Sequence, residues 1–163
     1  MSIKVQLIEV RRRVDADPPG RASHVRMDGS ELQAGDAWWE ANEHREGRRL
    51  VYAGRDADGQ IVQRSCEGPC LNWDDCDDPR GHLMVVMPHG WFWSPFGRAS
   101  NCTMPDDRRH RCWVLHEPSP GLFHVDKAGV TCGAGAGSIV VPASEKRPGG
   151  WHGFLHNGEL VPC

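Results

Sequence analysis

At 163 residues and a formal net charge of −3, the chain is sized for one domain and carries no overall field that would draw it to nucleic acid or an anionic membrane. Hydrophobic residues reach only 39%, while 19 Gly and 12 Pro are a heavy load of turn-formers, which argues against long helices and for short elements joined by many turns. A chain of this length buries a real core without disulfides, and 7 Trp against 1 Tyr and 4 Phe supply large buried area where aliphatics are few.

The opening Met1-Ser2-Ile3-Lys4-Val5 lacks the basic-then-apolar pattern of a signal peptide, and the longest apolar run, residues 83–88, is far short of a membrane span. The expected compartment is therefore a reducing cytoplasm, with no membrane partner. In that setting 7 cysteines, an odd number, read as thiols or metal ligands rather than a disulfide framework.

In chain order, residues 3–10 alternate with period two and predict a half-buried first strand. Residues 15–30, with Pro18-Pro19-Gly20 and Asp28-Gly29-Ser30, read as loop. Residues 32–39 form a turn into a short aromatic element, and Asp36 is a candidate N-cap for a helix over 36–45. The β-prone runs 49–53 and 60–64 flank Asp58-Gly59 and predict a hairpin. Residues 66–81 are loop. A second hairpin follows, strands at 82–87 and 91–93 turning at His89-Gly90. After a loop over 94–109, short strands are expected at 112–116, 122–126 and 139–141. Asn157-Gly158, the strongest two-residue hairpin signal, joins the runs 153–156 and 159–161. With no internal repeat and no dividing linker, residues 1–163 predict a single mainly-β domain (α+β at most), its antiparallel hairpins forming a barrel-like roll or sandwich with long loops.

The cysteines fall into two groups and two singles. Cys66, Cys70 and Cys76 share one acidic loop, Cys102 and Cys112 bracket a second with His110 between them, and Cys132 and Cys163 stand alone. Zinc takes four thiolate or imidazole ligands in a tetrahedron, and loops that double back supply them in pairs. The loop containing Pro105-Asp106-Asp107 can return Cys112 to Cys102. His110 and Cys112, at i and i+2, share one side of an extended strand, and the returning strand at 122–126 brings the Cys132 loop alongside. Cys102, His110, Cys112 and Cys132 are thus the expected metal ligands of a structural zinc site; the alternative is that these are small buried apolar residues.

Other segments carry less. His152 and His156 share a strand face but lack the Glu of a zinc-protease motif, and read as polar surface. Residues 131–139, alternating Gly and Ala, have no Gly-Lys-Ser/Thr and read as a tight loop or a close strand crossing. Cys132 with His124 or His110 is a conceivable nucleophile pair. His124-Val125-Asp126-Lys127 is superficially similar to the start of an HNH nuclease motif, without its later Asn and His at matching spacing.

Gly81-His82-Leu83, Arg98-Ala99-Ser100-Asn101-Cys102-Thr103, His110-Arg111-Cys112-Trp113-Val114, Val125-Asp126-Lys127, Thr131-Cys132, residues 134–139 and Trp151-His152-Gly153-Phe154-Leu155 together resemble a family of small uncharacterised proteins carried by bacteriophages and prophages. The resemblance spans somewhat over half the chain and departs at Trp93-Ser94-Pro95-Phe96-Gly97. It implies a phage origin and a host-cell context, not a mechanism.

Three functions follow as expectations. The first is a non-catalytic binding protein acting on a host or phage protein, with Trp-rich turns as aromatic anchors. The second is a metal-dependent hydrolase or nuclease built on the Cys/His loops, which needs an open metal position and a nearby base. The third is a structural component of the phage particle.

Overall fold

A computed structural model describes residues 1–13, 24–40, 42–45, 48–55, 61–66, 82–99, 101–104, 112–126, 137–145 and 148–163. Its elements are strands: β1 (Ile3–Lys4), β2 (Gln6–Leu7), β3 (Val10–Arg12), β4 (His24–Arg26), β5 (Asp36–Glu40), β6 (Asn42–Arg45), β7 (Arg48–Arg55), β8 (Ile61–Cys66), β9 (His82–Val86), β10 (Phe92–Trp93), β11 (Val114–His116), β12 (His124–Asp126), β13 (Ile139–Val141), β14 (Trp151–His156) and β15 (Glu159–Pro162). Among the described residues the helical content is one 3₁₀ turn, Pro88–Gly90, between β9 and β10. The mainly-β expectation holds. The strands form two four-stranded sheets, ordered β1-β15-β14-β13 and β10-β9-β5-β2, with the smaller sets β3-β4, β11-β12 and β6-β7-β8. No closed barrel is formed among them, and β2 runs parallel to β5, so the antiparallel rule has one exception.

The sheet β10-β9-β5-β2 is the middle layer. In β5, Ala37 and Trp39 point to one side and Trp38 and Glu40 to the other, as a two-residue period requires. Cross-strand pairing with β9 sets Ala37 against Val85, Trp39 against Leu83 and Trp38 against Met84. On the first side Ala37, Leu83, Val85 and Met87 join Val5, Phe123, Val125, Ile139, Val141, Leu155 and Leu160 in the main core, drawn from both large sheets and the β11-β12 ribbon. On the second side Trp38 and Val86 meet Val10, with Ile8, Leu32, Met84 and Phe92 closing the cluster. Trp38 meets Phe92 edge-to-face at a centroid separation of 5.5 Å. Such a contact adds about 0.5–1.5 kcal/mol beyond area burial.

Two expectations are corrected at the N-terminal end. The strand over 3–10 is three short strands with three partners: β1 pairs with β15, β2 with β5 and β3 with β4. Alternation dictates which side each residue faces, not which strand it pairs with. The crossing is close: a Cβ on Gly35, whose φ is +94°, would lie 2.4 Å from the Lys4 carbonyl oxygen. Only glycine fits there. Likewise β4 lies inside the stretch read as loop: it pairs with β3, and Asp28-Gly29-Ser30 form the turn that follows it.

The helix expected over 36–45 is instead β5 and β6. The Asp36 carboxylate does cap a turn, accepting the Gln33 N–H at 2.8 Å, but it closes residues 33–36 rather than starting a helix. A helix would set Trp38 and Trp39 about 100° apart on one side. A strand sends them to opposite faces, each with a core to enter, and tertiary burial prevails over local propensity.

The expected hairpins form. β9 and β10 pair across His89-Gly90, and β14 and β15 across Asn157-Gly158. The latter residues take φ of 49° and 79°, the left-handed pair of a type I′ turn. β7 and β8 also pair, while their Asp58-Gly59 turn lies outside the described residues. So do Pro18-Pro19-Gly20, the Gly/Ala run before Gly137 and most of the loop over 66–81.

Trp38→Ala is expected to destabilise the protein by about 3–5 kcal/mol in urea unfolding, because it empties the second core cluster. Val140→Ala, on a side chain that is 52% exposed, should change stability by no more than about 0.5 kcal/mol.

Candidate functional site

Of the four expected zinc ligands, Cys102 and Cys112 lie among the described residues; His110 and Cys132 lie outside them. Both described cysteines are thiols, Cys112 buried and Cys102 half-buried at the margin of the main core. One residue ties them together. The Ala99 N–H donates to Cys112 Sγ at 3.3 Å, and the Ala99 carbonyl accepts the Cys102 N–H at 3.1 Å. A second backbone donor, the Met104 N–H, reaches Cys102 Sγ at 3.4 Å. Sulfur is a weak acceptor as a thiol and a much better one as a thiolate. Each sulfur thus accepts one backbone N–H, the kind of contact that orients a metal-binding sulfur. Among the described residues no three His, Cys, Asp or Glu side chains converge to hold a metal. The strand expected from Cys112 starts two residues later, at β11, so Cys112 sits in the turn entering it.

A second cluster escaped the sequence reading. On the Trp38 side of the middle sheet, Glu40 pairs with His82 across β5 and β9. Both are buried, as is His24 on β4 (6%, 1% and 5% exposed). Glu40 Oε1 accepts the Trp38 indole N–H at 3.4 Å and lies 3.8 Å from His24 Nε2. His82 stacks on Phe96 at 4.9 Å. Beside them Arg26 makes a two-pronged contact with Asp36, Nε to Oδ2 at 2.9 Å and Nη2 to Oδ1 at 2.8 Å. The one sequence signal was alternation, which places Glu40 on the Trp38 side. The pairing with His82 depends on register with a strand forty residues away.

The third cluster is exposed. In β14, His152, Phe154 and His156 face away from the core while Gly153 and Leu155 face into it. The expected shared face for His152 and His156 is therefore correct. In the β11-β12 ribbon, His116 pairs directly with His124. These rings form a run: His116 to His124 at 6.1 Å, His124 stacked on His156 at 4.6 Å, and Phe154 stacked on His156 at 4.8 Å. His116 Nε2 lies 3.1 Å from Asp126 Oδ1, both side chains nearly half exposed. His124 Nδ1 accepts the Asn157 N–H at 3.2 Å, which makes Nε2 the protonated nitrogen of the neutral ring. Burial and the neighbouring His124 hold the His156 pKa below the usual 6.5, against an opposing pull from Asp126. Next to this run is an open cleft of about 470 Å³ lined by Lys4, Val5, residues 119–122, Asn157, Gly158 and Glu159.

Among the described residues the tryptophans all contribute to the core. Trp38 and Trp113 are buried, and Trp39, Trp91, Trp93 and Trp151 pack half-buried against it. His116 and His152 are exposed, and His124, Phe154 and His156 are half-buried.

Comparison with family models, with curated proteins and with solved structures finds no match to this chain. No helix among the described residues is long and apolar enough to cross a membrane.

Arg26→Met leaves the Asp36 carboxylate, 4% exposed, without its main counter-charge. An expected loss of about 2–4 kcal/mol follows, read by urea unfolding at pH 7. The double variant Arg26→Met/Asp36→Asn should recover about 1–3 kcal/mol of the summed single losses.

Proposed function

We propose that this chain is a phage-associated, non-catalytic binding protein that engages a host or phage protein through the histidine and phenylalanine face of β11, β12 and β14. The carrying observation is the run of ring side chains His116, His124, His156 and Phe154 on the side of the strands turned away from the core. Stacked rings hold few rotamers and present a large amphipathic area, so docking on them costs little side-chain entropy. The family resemblance supplies the phage setting and the host cytoplasm.

Structural zinc belongs to the same proposal. Cys102, His110, Cys112 and Cys132 form its ligand set, and support comes from the backbone N–H donors aimed at Cys102 and Cys112 Sγ. A closed site of this kind fastens two loops that have few apolar residues of their own, and contributes directly to folding free energy.

Two measurements test the reading. Elemental analysis should find one zinc per chain, and Cys112→Ser should lose both the metal and thermal stability. Metal-free native protein ends the zinc part, and three ligands plus a bound water turn the reading to the hydrolase or nuclease. In a pull-down from infected cells, a partner retained by the wild type should be lost with Phe154→Ser/His116→Ser. A partner held equally by that variant moves the interface elsewhere, and recovery only with assembled particles identifies a particle component.

A further inference from the structure

We infer that the contact between His124 and Asn157 is a pH-operated latch, in which protonation of His124 at Nδ1 releases Asn157 from β12 and changes one wall of the adjacent cleft. The inference needs no partner and holds whether or not the face binds a protein.

It starts from the direction of one hydrogen bond. A backbone N–H can only donate, so the Asn157 N–H at 3.2 Å requires a lone pair on His124 Nδ1. Neutral imidazole offers that lone pair as the Nε2–H tautomer. Imidazolium carries hydrogen on both nitrogens, which sets donor against donor. Charging the ring and keeping the bond are mutually exclusive.

The surroundings determine how the charge is shared. His116, opposite His124 on β11, has its own carboxylate in Asp126. His156, stacked on His124 from β14, pairs across the turn with Glu159 on β15, and Glu159 pairs in turn with Lys4 on β1. Glu117, next to His116, accepts the Gly121 N–H at 2.9 Å. Phe154 covers the far side of the His156 ring. At 4.6 Å between centroids, charges on the His124 and His156 rings would repel each other. The depressed His156 pKa reflects burial first and that repulsion second.

The hinge is also in place. Gly158 donates to the Phe123 carbonyl at 2.6 Å and accepts the Val5 N–H at 2.7 Å, neither involving a titratable group. These bonds keep the hairpin tip attached while Asn157 lets go. Asn157, Gly158 and Glu159 face residues 119–122 across the cleft, so the release alters its shape. For His156, whose folded pKa is depressed, the unfolded chain binds more protons than the folded one, so its stabilising share is full above about pH 6.5 and declines as pH falls toward the folded value.

The test is a pH titration of the full ¹⁵N-labelled chain from pH 8 to pH 5, following the Asn157 amide and the histidine ring signals. The Asn157 cross-peak should move with the His124 midpoint. Its exchange protection, corrected for the intrinsic rate, should fall roughly fivefold, the worth of one hydrogen bond. The Gly158 amide should keep its protection. His124→Asn places an amide oxygen where Nδ1 stood and does not titrate, so its Asn157 amide should stay constant over the same range. An Asn157 amide that stays still in the wild type while His124 titrates overturns the latch, as does the same Asn157 titration in His124→Asn. If that variant does not fold, the wild-type titration alone decides.

Discussion

Everything in this fold leans on the pairing of β5 with β9. That pairing places a strand with large side chains on both faces in the centre of the molecule, so each face needs its own cover. Ala37, Trp39, Leu83 and Val85 receive the β1-β15-β14-β13 sheet and the β11-β12 ribbon; Trp38 and Val86 receive β3 and β4. A sheet buried on both sides cannot slip by one residue without exchanging its two cores. Here the exchange would put Trp38 where Ala37 now fits, and the register is correspondingly well specified.

The burial has a polar consequence. The Trp38 face of β5 carries an ionisable group at each end, Asp36 at one and Glu40 at the other. Their carboxylates are kept by specific donors: Arg26 and the Gln33 N–H for Asp36, the Trp38 indole for Glu40. Buried polar groups held this way add little net stability but penalise any packing that leaves them unmatched. They mark the β3-β4 cover as one arrangement rather than one of several. The histidine face is the opposite case. Its rings stack on one another above a sheet whose other side is the core, and its polar atoms remain within reach of water and protons. The His24, Glu40 and His82 group, by contrast, is buried.

Much of the fold was legible in the sequence. The hairpin at Asn157-Gly158 follows from two residues that tolerate left-handed backbone. The strands at 82–86 and 139–141 follow from β-branched and aliphatic runs bounded by turn-formers. The shared face of His152 and His156 follows from a period of two. The site was legible only in part. Cys102 and Cys112 could be grouped by spacing, but the Ala99 peptide that bonds to both could not be foreseen, because it depends on how a loop folds back. His124 and His156 are thirty-two positions apart, and their stack arises where the β11-β12 ribbon meets β14.

What the sequence by itself determined are the properties carried by a few neighbouring residues: strand rather than helix over most of the chain, which side each residue faces, where the chain turns, and the reserve of thiols and imidazoles. What only the tertiary structure decided is partnership. It divided one alternating run among β15, β5 and β4, and turned an apparent N-cap at Asp36 into the anchor of Arg26. It drew Trp38 and Trp113 inward and left His116 and His152 on the surface. The physical reason is that alternation and turn chemistry are local, costing or gaining free energy within a few residues. Choice of partner is settled by burial shared among segments far apart in the chain, and that sum exists only once they have packed.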